Sequence, residues 1–143
     1  MNQSFAALLL AARRERQLVI ATALTDGAPS GQARQARLAQ QQGAGAAELR
    51  ADLLADPAQV RAALTAVRAA SSLPLLLTYR STTEGGKGAG HGQGYEDYLA
   101  SLLQLRPAVA AVDIEMACPA SKALVAEAKA VGYDVVGSCH DFT

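Results

Sequence analysis

The sequence predicts an α/β fold built on a parallel β-sheet. Short apolar runs of strand length alternate with segments of helical period from about Leu18 to the last residue, a pattern typical of successive βαβ units. Half of the 143 residues are hydrophobic, which is enough to bury one ordinary core. We predict one domain over residues 1–143. It is either a five-stranded doubly wound sheet or a barrel cut off after strand five, because a complete (β/α)₈ barrel takes about 250 residues.

The first two strands are predicted at residues 18–24 and 46–53, with a glutamine-rich helix over residues 31–42 between them. The second strand alternates strictly, so that apolar side chains share one face and charged side chains the other. Its charged face carries Glu48, Arg50 and Asp52.

The later elements continue the alternation. Asp56 and Pro57 predict a helix start, since Asp caps free N–H groups and Pro suits the first turn. Strands are predicted at residues 74–80, 108–116 and 133–139. A glycine-rich loop, residues 85–94, precedes a helix with apolar residues at Tyr95 and Leu99, and Cys118 and Pro119 open a last helix that ends at Gly132.

Composition excludes several functional classes. Thirteen basic residues balance thirteen acidic ones, so no nucleic-acid or membrane partner is predicted. Two cysteines at distant positions form neither a disulfide framework nor a zinc motif, which favours a reducing cytoplasm and no metal site. The N-terminal apolar run, residues 5–12, is far shorter than the about 20 residues that cross a bilayer, and we expect it to pack as a helix on the domain.

Charged side chains gather where the predicted strands end. In both candidate architectures ligands bind at the carboxyl ends of the strands. The residues there are Glu48, Arg50, Arg80, Glu84, Asp113, Glu115 and His140. The neighbouring glycine-rich loop lacks the first glycine and the final hydroxyl of a phosphate-binding loop, so it is predicted to be a flexible connection or a lid.

Four segments carry a specific resemblance. Residues 77–86, Leu-Thr-Tyr-Arg-Ser-Thr-Thr-Glu-Gly-Gly, are similar to the T-[FY]-R-x-x-x-E-G-G segment of type I 3-dehydroquinate dehydratases. Residues 138–142, Ser-Cys-His-Asp-Phe, are similar to the S-x-H-D-F segment of the same family. Residues 48–52, Glu-Leu-Arg-Ala-Asp, resemble its E-x-R-x-D. Residues 112–115, Val-Asp-Ile-Glu, match its fourth strand. The four segments follow the family's order, and the resemblance therefore implies a (β/α)₈ TIM barrel truncated after strand five.

The resemblance also implies a mechanism and a set of roles. In this family of lyases of the shikimate pathway, a lysine forms a Schiff base with 3-dehydroquinate, and a histidine moves the proton that is lost with water to give 3-dehydroshikimate. No separate cofactor is needed. His140 matches the histidine, and Glu84 matches the carboxylate that orients it. Glu48, Arg50 and Arg80 match residues that contact the substrate's hydroxyl groups.

The family's lysine falls on the strand after the one that ends in His140. The lysines present, at positions 87, 122 and 129, do not occupy that place. We therefore expect the chain alone to be inactive, with a C-terminal barrel half or a homodimer partner completing it. A half-barrel that binds a polyhydroxylated ring without catalysis is the alternative, and an unrelated doubly wound domain is a third.

Three other residues receive simpler predictions. Asp113 and Glu115 share a strand face and are expected to hold neighbouring basic groups. His91, in the glycine-rich loop, is expected to be exposed. Cys118 is expected to be a buried, inert thiol.

Overall fold

The computed structural model describes residues 4–105 and 109–142, which alternate between helices and strands. The helices are α1 (Phe5–Glu15), α2 (Pro29–Gln41), α3 (Pro57–Ala70), α4 (Gln93–Leu103) and α5 (Ser121–Ala130). The strands are β1 (Ala21–Leu24), β2 (Ala46–Arg50), β3 (Leu75–Thr78), β4 (Ala111–Glu115) and β5 (Asp134–Ser138). Two short 3₁₀ helices, Ala51–Leu53 and Thr82–Glu84, follow β2 and β3.

The five strands form one parallel sheet in the order β1-β2-β3-β4-β5. The predicted α/β class is confirmed. Sequential order excludes the doubly wound arrangement in which β2 and β3 flank β1 on opposite sides, and it is the order of consecutive strands in a (β/α) barrel. Among the described residues, β1 and β5 pair with one neighbour each and are the edges of the sheet.

The main hydrophobic core lies between the outer face of the sheet and helices α2 to α5. Strand residues such as Leu49, Leu77 and Ile114 are fully buried there against Val60 and Leu99. Each such leucine or isoleucine contributes about 1.5–3 kcal/mol relative to an exposed side chain. These residues alternate with Glu48, Thr78 and Asp113, which face the other way, so the buried core also fixes the direction of the polar set.

Helix α1 covers the amino-terminal part of the inner face, the face opposite α2 to α5. Phe5 is buried against Ala46 and Ala111 at the starts of β2 and β4. The carboxylate of Asp134, at the start of β5, accepts bonds from Ser4 Oγ and the Ala6 amide, both at 2.9 Å. The predicted packed N-terminal helix is therefore confirmed. No helix among residues 4–105 and 109–142 is long and apolar enough to cross a membrane.

Several predicted strands are too long. Leu18 is 94% exposed and lies outside β1, because pairing with β2 begins only at Ala21. The chain leaves the second strand after Arg50 and turns, which buries Asp52 instead of leaving it on a charged strand face. The predicted start of strand four at position 108 lies outside the described residues. Helix α5 begins at Ser121, three residues after Cys118.

Candidate active site

The predicted site residues meet at the carboxyl edge of the sheet. Glu48 and Arg50 end β2, while Arg80 and Glu84 follow β3 in the segment that turns into Thr82–Glu84. His140 lies two residues past β5. Because all strands are parallel, these segments emerge on one side of the sheet.

Arg80 is the centre of this group, and only 8% of the residue is exposed. Its Nη1 lies 3.0 Å from Glu115 Oε1 and 3.2 Å from Asp113 Oδ2. Glu84 Oε2 is 3.7 Å away, and Nη1 also donates to Ser138 Oγ at 2.9 Å. The expectation that Asp113 and Glu115 hold a basic group is confirmed. One guanidinium thus ties β3, β4 and β5 together.

The ionisation of this cluster follows from burial and pairing. Burial alone would lower the pKa of Arg80, but the nearby charges of Asp113 and Glu115 outweigh it and raise that pKa. Burial raises the pKa of Asp113 despite the guanidinium beside it. Burial also acts to raise the pKa of Glu115, yet hydrogen bonds from Ser81 and His91 lower it below its usual value. Arg80 therefore remains a cation, and Glu115 is the better anion of the two acids.

Glu84 and His140 are hydrogen-bonded partners. Glu84 Oε2 lies 2.8 Å from His140 Nδ1 and accepts the His140 backbone amide at 3.1 Å. The carboxylate is buried, whereas 40% of the histidine side chain is exposed. With the carboxylate oxygen as acceptor, Nδ1 is the donor of this bond, and Nε2 is the ring nitrogen that the bond leaves available.

Two glycines allow this close approach. A Cβ on Gly85 would lie 2.8 Å from the Phe142 ring, and one on Gly86 would lie 2.2 Å from the Arg80 carbonyl oxygen. Gly85 also has a φ of 83°. The absence of a side chain at Gly85 therefore lets this segment pack against Phe142, and its absence at Gly86 lets the chain fold back onto Arg80.

Glu48 and Arg50 form the other end of the site. Glu48 Oε1 accepts a bond from Thr78 Oγ1 at 2.6 Å. Arg50 makes a two-pronged contact to Asp52, with both distances 2.8 Å. The Asp52 carboxylate also accepts the Lys87 amide, which fastens the glycine-rich loop to β2. Arg50 is thereby held in one orientation with 22% of its side chain exposed.

A family model described as type I 3-dehydroquinase matches residues 20–143, which is most of the chain. The chain belongs to the type I 3-dehydroquinase family. Two curated relatives are named 3-dehydroquinate dehydratase: one from Methanosarcina barkeri, 37% identical over 111 residues, and one from Methanoregula boonei, 39% identical over 122 residues. A solved structure of 3-dehydroquinate dehydratase from Enterococcus faecalis superposes with a TM-score of 0.75 at 27% identity.

Coverage is unequal in these comparisons. The alignments include 75% and 85% of this chain but 46% and 51% of the two curated relatives, and the Enterococcus match covers 87% of this chain and 54% of the other. The chain therefore spans about half the length of the relatives it matches. With the parallel strand order, these matches confirm the barrel-type fold predicted from the sequence.

Sequence reasoning missed two contributors to this candidate site. His91 is not exposed as expected: its side chain is 13% exposed and its Nε2 lies 2.6 Å from Glu115 Oε2. Ser81 donates to the same carboxylate from its amide at 2.9 Å and its hydroxyl at 2.6 Å. No local pattern points from position 91 to position 115, because the loop must fold before the two meet.

The chain also has three lysines and a buried cysteine, Cys118. Lys87, Lys122 and Lys129 are all exposed, the latter two on α5. Cys118 is buried, as expected, and burial raises the pKa of its thiol.

Proposed function

We propose that this chain provides the proton-transfer and hydroxyl-binding half of a 3-dehydroquinate dehydratase active site. The reaction converts 3-dehydroquinate to 3-dehydroshikimate and water. The observation that carries the proposal is the Glu84–His140 pair beside the buried Arg80 cluster. Membership of the family and the names of the relatives support the substrate.

His140 is the proton carrier in this proposal. Neutral imidazole has an ordinary pKa of about 6.5, so it can take a carbon-bound proton and return one to a leaving hydroxyl near neutrality. Glu84 is buried and bonded to Nδ1, which fixes the ring and aims Nε2 outward. Glu84 therefore acts as a positioning residue and His140 as the catalytic one.

Glu48, Arg50 and Arg80 form the proposed hydroxyl-binding set. Glu48 and Arg50 are partly exposed and already oriented by Thr78 and Asp52, so they can bind a ligand without losing much side-chain freedom. Arg80 already has three carboxylates around Nη1, so its contact to substrate falls to the remaining guanidinium nitrogens.

The electron sink is proposed to come from a lysine on a further strand, through a Schiff base with the substrate ketone. The three lysines of this chain are exposed, and none matches the position of the family's lysine. We propose that the further strands come from a C-terminal barrel half or a homodimer partner that pairs with β1 or β5, the unpaired edges of the described sheet. A biosynthetic enzyme with free thiols fits a cytoplasmic location.

Borohydride trapping tests the proposal. The chain is incubated with 3-dehydroquinate and borohydride, alone and after co-expression with a polypeptide that supplies the later barrel strands, and masses are measured. We expect no adduct on the lone chain, and an adduct on the supplied lysine together with dehydration in the reconstituted pair. His140→Gln in the pair should retain the adduct but lower the dehydration rate about 10²- to 10⁴-fold.

The outcomes separate the alternatives. An adduct on Lys87, Lys122 or Lys129 of the lone chain contradicts the proposed lysine. Substrate binding by the reconstituted pair with neither adduct nor turnover favours a non-catalytic half-barrel that binds a polyhydroxylated ring.

A further inference from the structure

Three metal-ligating side chains meet beside the glycine-rich loop. Glu84, His91 and Glu115 each offer one ligand atom, and the three atoms lie within 4.8 Å of one another. The side chains are 3%, 13% and 0% exposed. One imidazole and two carboxylates are a ligand set that zinc and similar divalent transition metals accept.

A buried oxygen of Glu84 lacks a partner. Oε2 bonds to His140, but Oε1 is buried and has no hydrogen-bond partner among the described residues. An unpaired buried carboxylate oxygen is costly, and a cation at this point would remove that cost.

The charge around these ligands also favours a cation. Arg80 is within 4 Å of Glu84, Asp113 and Glu115, so a single guanidinium faces three buried carboxylates. A divalent ion would compensate the carboxylate charge that the single positive charge of Arg80 does not balance.

The ligands are held in place by their surroundings. Ser81 donates twice to Glu115, and the His91 amide donates to Thr83 Oγ1 at 3.0 Å. The His91 ring stands edge-on to Tyr95, with centroids 5.6 Å apart. Such outer contacts orient the ligands of protein metal sites.

We propose that Glu84, His91 and Glu115 bind one divalent transition metal ion of the zinc class. Ligands about 2.0–2.1 Å from a tetrahedral zinc lie roughly 3.3 Å apart. His91 Nε2 and Glu115 Oε2 are now 2.6 Å apart, so the ion replaces the proton they share and the gap widens. Loop residues 85–94, which include six glycines, can supply that movement.

Occupancy would alter the neighbouring pair. Glu84 would then serve both the metal and His140, so zinc should slow the reconstituted dehydratase, a consequence that rests on the proposed function. The binding test below uses no activity measurement, so its failure is distinguishable from failure of the proposed dehydratase.

The test is zinc titration of the chelator-treated chain by calorimetry, in a Cys139→Ser background that removes the exposed thiol. We expect saturable binding of one equivalent. His91→Gln should weaken zinc binding at least about 10-fold, because replacement of a residue that only supports a ligand already lowers metal affinity by about that factor. Glu127→Gln, which changes an exposed carboxylate on α5, is the matched control and should retain the affinity.

Imidazole NMR of the same background chain reports the site directly, even if the His91 variant folds poorly. The chain has two histidines, so the His140→Gln spectrum assigns both rings. Zinc should shift the His91 Nε2 signal at one equivalent. Absence of saturable binding, or a His91→Gln variant that binds zinc as tightly as the parent chain, would overturn the proposal.

Discussion

Replacement of Arg80 by methionine should strongly destabilise the fold. The substitution keeps an apolar stem but removes the cation that lies 3.0 to 3.7 Å from three buried carboxylates. Removal of one partner from a buried ion pair costs about 3–5 kcal/mol, because the remaining charge stays desolvated. Since the free energy of unfolding of a native protein is about 5–15 kcal/mol, this loss is a large part of the total stability.

The loss should depend on pH with a defined sign. In the native chain the pKa of Glu115 is lowered, so its stabilisation is present above the unfolded pKa and is lost as pH falls. Without Arg80, the burial of Asp113 is no longer opposed by the guanidinium, so the pKa of Asp113 rises further, while hydrogen bonds from Ser81 and His91 still act to lower that of Glu115. The folded variant then binds more protons than the unfolded chain, so acid stabilises it relative to neutral pH.

Urea unfolding followed by circular dichroism at about pH 5 and about pH 8 measures both effects. Arg61→Met is the matched control, because Arg61 is exposed, and it should change the unfolding free energy by less than about 0.5 kcal/mol. A loss below about 1 kcal/mol for Arg80→Met at pH 8, well short of the range for buried pairs, would refute the reasoning. So would a loss that is equal at both pH values.

Three further predictions address the glycine-rich loop, helix α1 and the thiols. Gly86→Ala should lower the unfolding free energy by about 1–3 kcal/mol, because the added Cβ would lie 2.2 Å from a backbone oxygen. Gly27→Ala is the control and should be nearly neutral, since the nearest atom to its Cβ is 3.7 Å away. Thermal melts of the two variants test this difference. Asp134→Ala should lower the unfolding free energy by about 0.5–2 kcal/mol, because the start of α1 loses the carboxylate that accepts its bonds. Amide hydrogen exchange in α1 should become faster, and unchanged exchange there would contradict the capping role. Cys139 should react with a thiol reagent well before Cys118, which is buried with a raised pKa, and equal rates would show that the α5 region opens readily.

The sequence by itself determined the class of fold and the edge at which the site lies. Alternation of apolar strands with helical segments requires parallel strands, and parallel strands bring their carboxyl ends together. Glu48, Arg80 and His140 could therefore be placed at one edge before any coordinates were known.

Only the tertiary structure decided where the strands stop and which polar groups pair. Leu18 has strand-like neighbours but no partner strand. Pairing with β2, not local propensity, therefore determines that β1 begins at Ala21. The bond between His91 and Glu115 joins residues 24 positions apart, through a loop whose path depends on contacts at Gly86. Local periodicity cannot encode such a contact, because it forms only when β3, β4 and the loop are packed together.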